Sequence, residues 1–159
     1  MRDTISKTNV MRILDQKKVK YIVHSYVDTD AISGMDVANV LKQNPRQVFK
    51  TLVTVGDSGN NYVFLVPVSN ELDMKKASAV VSEKKISMVS FKDLFKITGY
   101  IHGGCSPIGM KKTFETVIDQ TATGFDSIIF SAGKIGYQVE ISLMDLEKVI
   151  EFELADILL

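Results

Sequence analysis

Val48-Phe49-Lys50-Thr51-Leu52-Val53-Thr54-Val55 and Tyr62-Val63-Phe64-Leu65-Val66-Pro67-Val68 are two runs dominated by apolar, β-branched and aromatic residues. Gly56-Asp57-Ser58-Gly59-Asn60 lies between them and has the composition of a turn. Such a pair predicts two antiparallel strands, which read as central strands of a sheet.

Working outward, Asn9 to Lys18 places Val10, Ile13 and Leu14 at helical spacing, and Tyr21 to Tyr26 then reads as a strand. Ser33-Gly34-Met35-Asp36, Ser90-Phe91-Lys92-Asp93 and Ser142-Leu143-Met144-Asp145 each set a side-chain oxygen three residues ahead of an acid, the spacing of a helix N-terminus. The first of these helices should stop near Asn44-Pro45, the second at Gly99, and the third should carry Leu146, Val149 and Ile150. Glu71 to Val81 reads as a short helix, and strands are predicted at Phe114 to Asp119, Ser127 to Ser131 and Tyr137 to Ile141. The expected fold class is α+β: about six strands in a layer or partly closed mixed sheet, with helices at both ends and between hairpins, and no parallel Rossmann order.

A chain of 159 residues with 45% hydrophobic residues is the size of one compact domain, so residues 1–159 are expected to form one. No run has the length of a membrane span, and Met1-Arg2-Asp3-Thr4 has no apolar signal core behind it, so a cytoplasmic protein is expected. One cysteine, Cys105, excludes an internal disulfide, and together with only His24 and His102 it makes a metal site unexpected; no cofactor is expected either. Nineteen Lys and Arg balance nineteen Asp and Glu, so any nucleic-acid contact must use a local patch rather than a bulk field.

Three segments are candidates for chemistry. Lys50 shares a strand face with Val48 and Leu52; facing a cavity it would hold an ammonium ready for an anionic or carbonyl oxygen, and otherwise it is a strand lysine reaching solvent along its stem. Between Gly99 and Lys112 periodicity vanishes, and four of the ten glycines fall there. Gly103-Gly104 offers amides with no Cβ in the way, suited to a developing oxyanion, while Lys111 and Lys112 are placed to meet phosphate; a glycine-rich turn with two solvated lysines is the alternative. The run Gly104 to Gly109 imitates a phosphate-binding loop, but Met110 stands where that motif needs lysine, which argues against nucleotide hydrolysis. Ser131-Ala132-Gly133-Lys134-Ile135-Gly136 is read as a second tight loop at the same rim, with an ordinary hairpin turn the simpler explanation. Cys105 lacks an evident partner for nucleophilic catalysis, and His24 and His102 read as structural.

Gln47 to Leu52, Gly103 to Lys112 and Ser131 to Gly136 together, in this order and spacing, resemble the YbaK/EbsC family of aminoacyl-tRNA editing domains, and the likeness runs nearly end to end. The resemblance implies a barrel-like mixed sheet of about six to seven strands flanked by helices. It implies a deacylase that acts in trans on mischarged tRNA, clearing Cys-tRNA(Pro) and more weakly Cys-tRNA(Cys), with prolyl-tRNA synthetase as partner. Lys50 falls at the family's lysine for the 3′-terminal adenosine or adjacent phosphate, and Gly103 at the glycine for the aminoacyl carbonyl, with Gly104 beside it. Tyr26 and Ser131 fall at pocket positions, and Phe49, Thr51, Ser106, Pro107, Lys111 and Gly133 lie within the same motifs and are assigned to substrate binding. Gln138 stands where the family pattern has an aspartate, which removes a carboxylate there. In the family mechanism the substrate's own thiol attacks its ester, a lyase-type step if it yields a thiolactone and a hydrolase otherwise. A sister branch that removes alanine from proline tRNA, and a non-catalytic module that binds tRNA or synthetase, are the alternatives.

Overall fold

The structure, a computed structural model, describes residues 6–159; the opening Met1-Arg2-Asp3-Thr4 lies outside them. Helix α1 (Asn9–Gln16) starts where the Thr8 hydroxyl accepts the Met11 amide, and buries Val10, Met11 and Leu14. Strand β1 (Ile22–Ser25) and helix α2 (Gly34–Val40) follow, then the central strands β2 (Phe49–Gly56) and β3 (Asn61–Pro67). Next come α3 (Met74–Val80), β4 (Ile86–Met88), α4 (Phe91–Thr98) and β5 (Glu115–Asp119). A 3₁₀ turn, Gln120–Gly124, leads to β6 (Ile128–Ser131), β7 (Tyr137–Ile141), α5 (Leu143–Leu146) and β8 (Glu153–Ala155).

The strands form two sheets. In one the order is β1-β7-β6, and in the other β4-β2-β3-β5-β8. The β2–β3 hairpin is antiparallel with Lys50 opposite Val66 and Val55 opposite Asn61, as the turn composition predicts. Strands β3, β5 and β8 run parallel to one another, so the larger sheet is mixed. A parallel bridge between Val48 and Ile129 joins the sheets, with the Ile129 amide donating to the Gln47 carbonyl at 3.0 Å. The mixed sheet flanked by helices is therefore present, divided in two and not closed into a barrel.

The alternation of side chains along β3 explains why its sequence reads as one apolar run. Val63 and Leu65 enter a core shared with Phe49, Val53, Phe130, Val139 and Ile141 and covered by α1. Tyr62, Phe64 and Val66 enter a second core on the opposite face, closed by Ala77 and Val81 on either side of α3's end.

All three serine-led starts are helix caps: the hydroxyls of Ser33, Ser90 and Ser142 accept the amides of Asp36, Asp93 and Asp145. Gly99 ends α4 in the left-handed region at φ 85°, where a side chain would be strained. Three helix boundaries differ from expectation. Helix α3 starts at Met74 and not at Glu71, because Leu72 bridges Leu158 and the Asp73 carboxylate accepts the amides of Lys75 and Lys76. Helix α2 ends at Val40, four residues before Asn44-Pro45, and Lys42 follows with φ 55°. Helix α5 is one turn long, because the amides of Lys148 and Val149 bond three residues back instead of four. Val149 and Ile150 pack against the main core all the same. Strands β4 and β8, three residues each, were not expected: a run that short has no measurable period, and its conformation comes from the strand beside it.

The side chain of Phe130 is fully buried in the strand next to the inter-sheet bridge. Phe130→Ala should destabilise the fold by about 3–5 kcal/mol, read as a lowered midpoint of urea unfolding.

Candidate functional site

The outer edge of β2 is paired discontinuously. At one end lies the Val48–Ile129 bridge, and at the other β4 pairs with Thr54 to Gly56, preceded by a bond from the Val89 amide to the Val53 carbonyl at 3.2 Å. Between these points no strand lies beside it. The Val48 carbonyl accepts from Val68 on the β3 side, whereas the Gln47 and Val53 carbonyls point the other way. By that alternation Thr51 turns its N–H and C=O outward into the gap. Its hydroxyl is buried and has no hydrogen-bond partner among the described residues. Buried polar groups are nearly always paired, so an orphan beside open backbone groups calls for a partner from outside the chain, a water or a ligand.

The gap is a cleft of about 770 Å³. Its walls come from the start of α2, the Met88–Val89 end of β4, the start of α4, the loop at His102 to Cys105, and Phe130, Ser131 and Gln138 of the smaller sheet. Of the residues singled out in the sequence, Tyr26, Phe49, Lys50, Thr51, Gly103, Ser131 and Gln138 all line it, although they come from five separate segments.

Lys50 is 30% exposed, and its Nζ donates to Glu71 Oε1 at 3.4 Å. Glu71 is 75% exposed, and so long an ion pair with a solvated carboxylate holds the ammonium weakly. Most of its donor capacity is available to a ligand. Gly103, at φ 90°, occupies a conformation that favours glycine and packs against Ile135, so the two glycine-rich loops do meet at one rim. Gln138 is buried, and its Oε1 accepts from Gln43 Nε2 at 2.8 Å.

The other assigned residues are placed elsewhere. Gly104 is buried, and its amide donates to the Ile101 carbonyl at 3.0 Å, so it is not available to an oxyanion; Gly103 alone of the pair faces the cleft. Ser106 and Pro107 are buried away from the cleft, and the Ser106 hydroxyl accepts the Ile108 amide at 3.3 Å, which holds the loop's shape. Gly133 packs against Tyr100 and Val10 and supports the loop from beneath. Lys111 is exposed outside the cleft, its Nζ 5.3 Å from the centre of the Phe95 ring. The hydrophobic walls, Ile32, Met35, Met88, Phe91 and Leu94, carried no signal separable from an ordinary core or surface pattern.

Cys105 lines the cleft yet is almost fully buried, and burial pushes its thiol up to about 12, against a smaller opposing effect of Thr98. A thiol so placed is protonated at neutral pH and a poor nucleophile. The Ser131 hydroxyl accepts the Gly133 amide at 3.1 Å. His24 bonds Glu140 at 2.7 Å, away from the cleft; burial favours the neutral carboxyl of Glu140, but the hydrogen bonds from Ser127 and His24 outweigh it and hold Glu140 below its usual range. His102 stacks on Phe91. Among the described residues, then, no hydroxyl or thiol in the cleft is hydrogen-bonded to a base, as nucleophilic catalysis by the protein would need.

The sequence profile of the aminoacyl-tRNA editing domain matches residues 28–149. A protein of Enterococcus faecalis whose name assigns it, provisionally, as the Cys-tRNA(Pro)/Cys-tRNA(Cys) deacylase EbsC is 44% identical over 142 residues, covering 89% of this chain and 87% of its own. A proline–tRNA ligase of Lactobacillus gasseri is 27% identical over 127 residues, 77% of this chain but 22% of the ligase. Among solved structures, one described, again provisionally, as a trans-editing enzyme for prolyl tRNA synthetase superposes with a TM-score of 0.81 over 97% of this chain and 99% of that one. At 22% identity that likeness speaks for the fold.

The raised Cys105 pKa has a consequence for stability. The unfolded thiol ionises near 9 while the folded one stays protonated to about 12, so the folded state binds the extra proton between these values. This contribution is complete below pH 9 and is lost as pH rises towards 12. Urea unfolding across that window should show a falling stability whose slope is smaller in Cys105→Ala.

Proposed function

The chain belongs to the aminoacyl-tRNA editing domain family, and from that premise we propose that it is a deacylase of mischarged tRNA whose substrate is cysteine esterified to proline tRNA, with Cys-tRNA(Cys) a weaker one. The observation that carries the reading is a cleft lined by Lys50, by Thr51 with its open backbone and unpaired hydroxyl, and by Gly103, in which, among the described residues, no hydroxyl or thiol is hydrogen-bonded to a base.

In this reading Lys50 holds the 3′-terminal nucleotide, through its ribose or its phosphate, as a compact cation with three donors. The Gly103 amide meets the ester carbonyl as negative charge develops there. Thr51 takes up the amino acid's polar backbone groups, and Tyr26, Phe49, Ser131 and Gln138 form the wall against its side chain. Gln138 is neutral, so that wall carries no carboxylate of its own.

The missing nucleophile is then supplied by the substrate. Its thiol sulfur attacks the ester carbonyl carbon, the S–C bond forms as the C–O bond to the ribose breaks, and the thiol proton passes through solvent to the departing ribose oxygen. The products are cysteine thiolactone and free tRNA. The protein contributes orientation, by holding the cysteine side chain in the conformer that reaches its own carbonyl, and stabilisation of the oxyanion.

The likeness to part of a proline–tRNA ligase supports prolyl-tRNA synthetase as the partner, with this chain acting in trans as one cytoplasmic domain. The balanced net charge supports weak intrinsic tRNA affinity, so that the synthetase supplies most of the choice between tRNAs.

Lys50→Ala should lower kcat/KM for release of labelled cysteine from Cys-tRNA(Pro) by at least about 100-fold, the scale of losing an electrostatic contact to the reacting ester. Cys105→Ser should keep most of the activity. The reverse pattern would make Cys105 the nucleophile and sink the proposal.

A further inference from the structure

One feature at the mouth of the cleft is unused by the reaction. Phe91, the first residue of α4, is 66% exposed. Its ring lies 4.0 Å, centre to centre, from that of His102 at an interplanar angle of 15°. His102 is exposed too, and both rings line the cleft, His102 directly beside Gly103. The pair is exposed beside Gly103, so a planar ligand entering the cleft has π surface to stack on.

The surroundings define the partner's charge. One turn along the helix Phe95 is also exposed, and the Lys111 ammonium lies over its ring at 5.3 Å. Helix α4 and the segment returning beside it carry Lys92, Lys96, Lys111 and Lys112, all exposed, against one acid, Asp93. In a chain with no net charge this is a local cationic surface, and it adjoins exposed aromatic rings. Stacking rings with lysines along the path of a chain are how proteins bind single-stranded nucleic acid without reading its sequence.

We infer that Phe91 and His102 form a base-stacking platform for the single-stranded 3′ end of the substrate tRNA, with Lys111 and its neighbours on α4 meeting the phosphates that lead away from the cleft. This rests on the editing reading above and adds to it a second anchor, outside the reacting group. An apolar protein surface is the competing occupant; it would not need flat rings in a parallel stack, and lysines in this number would oppose its burial.

The test uses binding without turnover, so that its outcome is independent of the deacylation chemistry. The affinity of the intact protein for the trinucleotide CCA is measured by calorimetry for wild type and for Phe91→Ala, Phe91→Leu, Phe91→Trp and His102→Ala. Alanine or leucine at position 91 should weaken binding roughly 5- to 100-fold, tryptophan should retain it, and His102→Ala should weaken it in the same range, because stacking requires a π face and apolar bulk does not replace it. Lys111→Ala should weaken binding less and reduce its dependence on salt. In deacylation of Cys-tRNA(Pro), the Phe91 variants that lose binding should raise KM with little change in kcat. Equal trinucleotide binding by wild type, Phe91→Ala and Phe91→Leu would overturn the platform while leaving the deacylase reading intact if wild-type turnover persists. A loss with Phe91→Ala that leucine restores, or that is seen only with prolyl-tRNA synthetase present, would overturn it too and assign the surface to a protein contact.

Discussion

Between Val48 and Val53 the outer edge of β2 has no strand beside it, and backbone groups left open there cannot stay buried without partners. The smaller sheet attaches at one end of this interval through Ile129, and β4 attaches at the other. The space between is the cleft. Every residue of the proposed chemistry is placed by this gap: Lys50 and Thr51 sit on the interrupted edge, and the wall opposite is built by the smaller sheet and the loop that carries Gly103.

What surrounds the gap is closely packed and hydrogen-bonded. Strands β2 and β3 are packed on both faces by separate cores, so the edge bearing Lys50 and Thr51 is fixed from above and below. The loop from Gly99 to Lys111 is irregular but tied: the Tyr100 hydroxyl donates to the Ile108 carbonyl at 2.6 Å, and the Lys111 amide to the Thr98 carbonyl at 3.1 Å. Most residues of the glycine-rich segment therefore build the loop, which leaves Gly103 presented at its tip. A site that catalyses by orienting a substrate needs such a scaffold, since a misplacement of about 1 Å forfeits much of the gain.

The central hairpin and the serine-capped helices were legible because each rests on local chemistry: alternating burial, a hydroxyl that satisfies an open amide, a turn of glycine and small polar residues. Lys50 stood out for the same reason, as a charge on a strand face that is otherwise apolar. What the sequence did not disclose depends on tertiary neighbours. The strands β4 and β8 are extended because β2 and β5 pair with them. Gly103 and Gly104 are adjacent and identical in sequence, and their roles separate only in the fold, where Gly104 is buried with its amide bonded to Ile101 while Gly103 lines the cleft. Ser106, Pro107 and Gly133 share motifs with residues of the cleft yet point into supporting layers. Phe91 reads as one more apolar position on a helix until its exposure and its stack on His102 are seen.

If the protein positions the ester and the substrate supplies the nucleophile, turnover must depend on the substrate's thiol. Wild-type turnover of proline tRNA charged with cysteine is compared with that of the same tRNA charged with serine, its oxygen isostere, under identical conditions. Rapid release of cysteine, with release of serine no faster than the uncatalysed background, is the expected result. Comparable turnover of the two esters would contradict it and require a nucleophile or an activated water held by the protein.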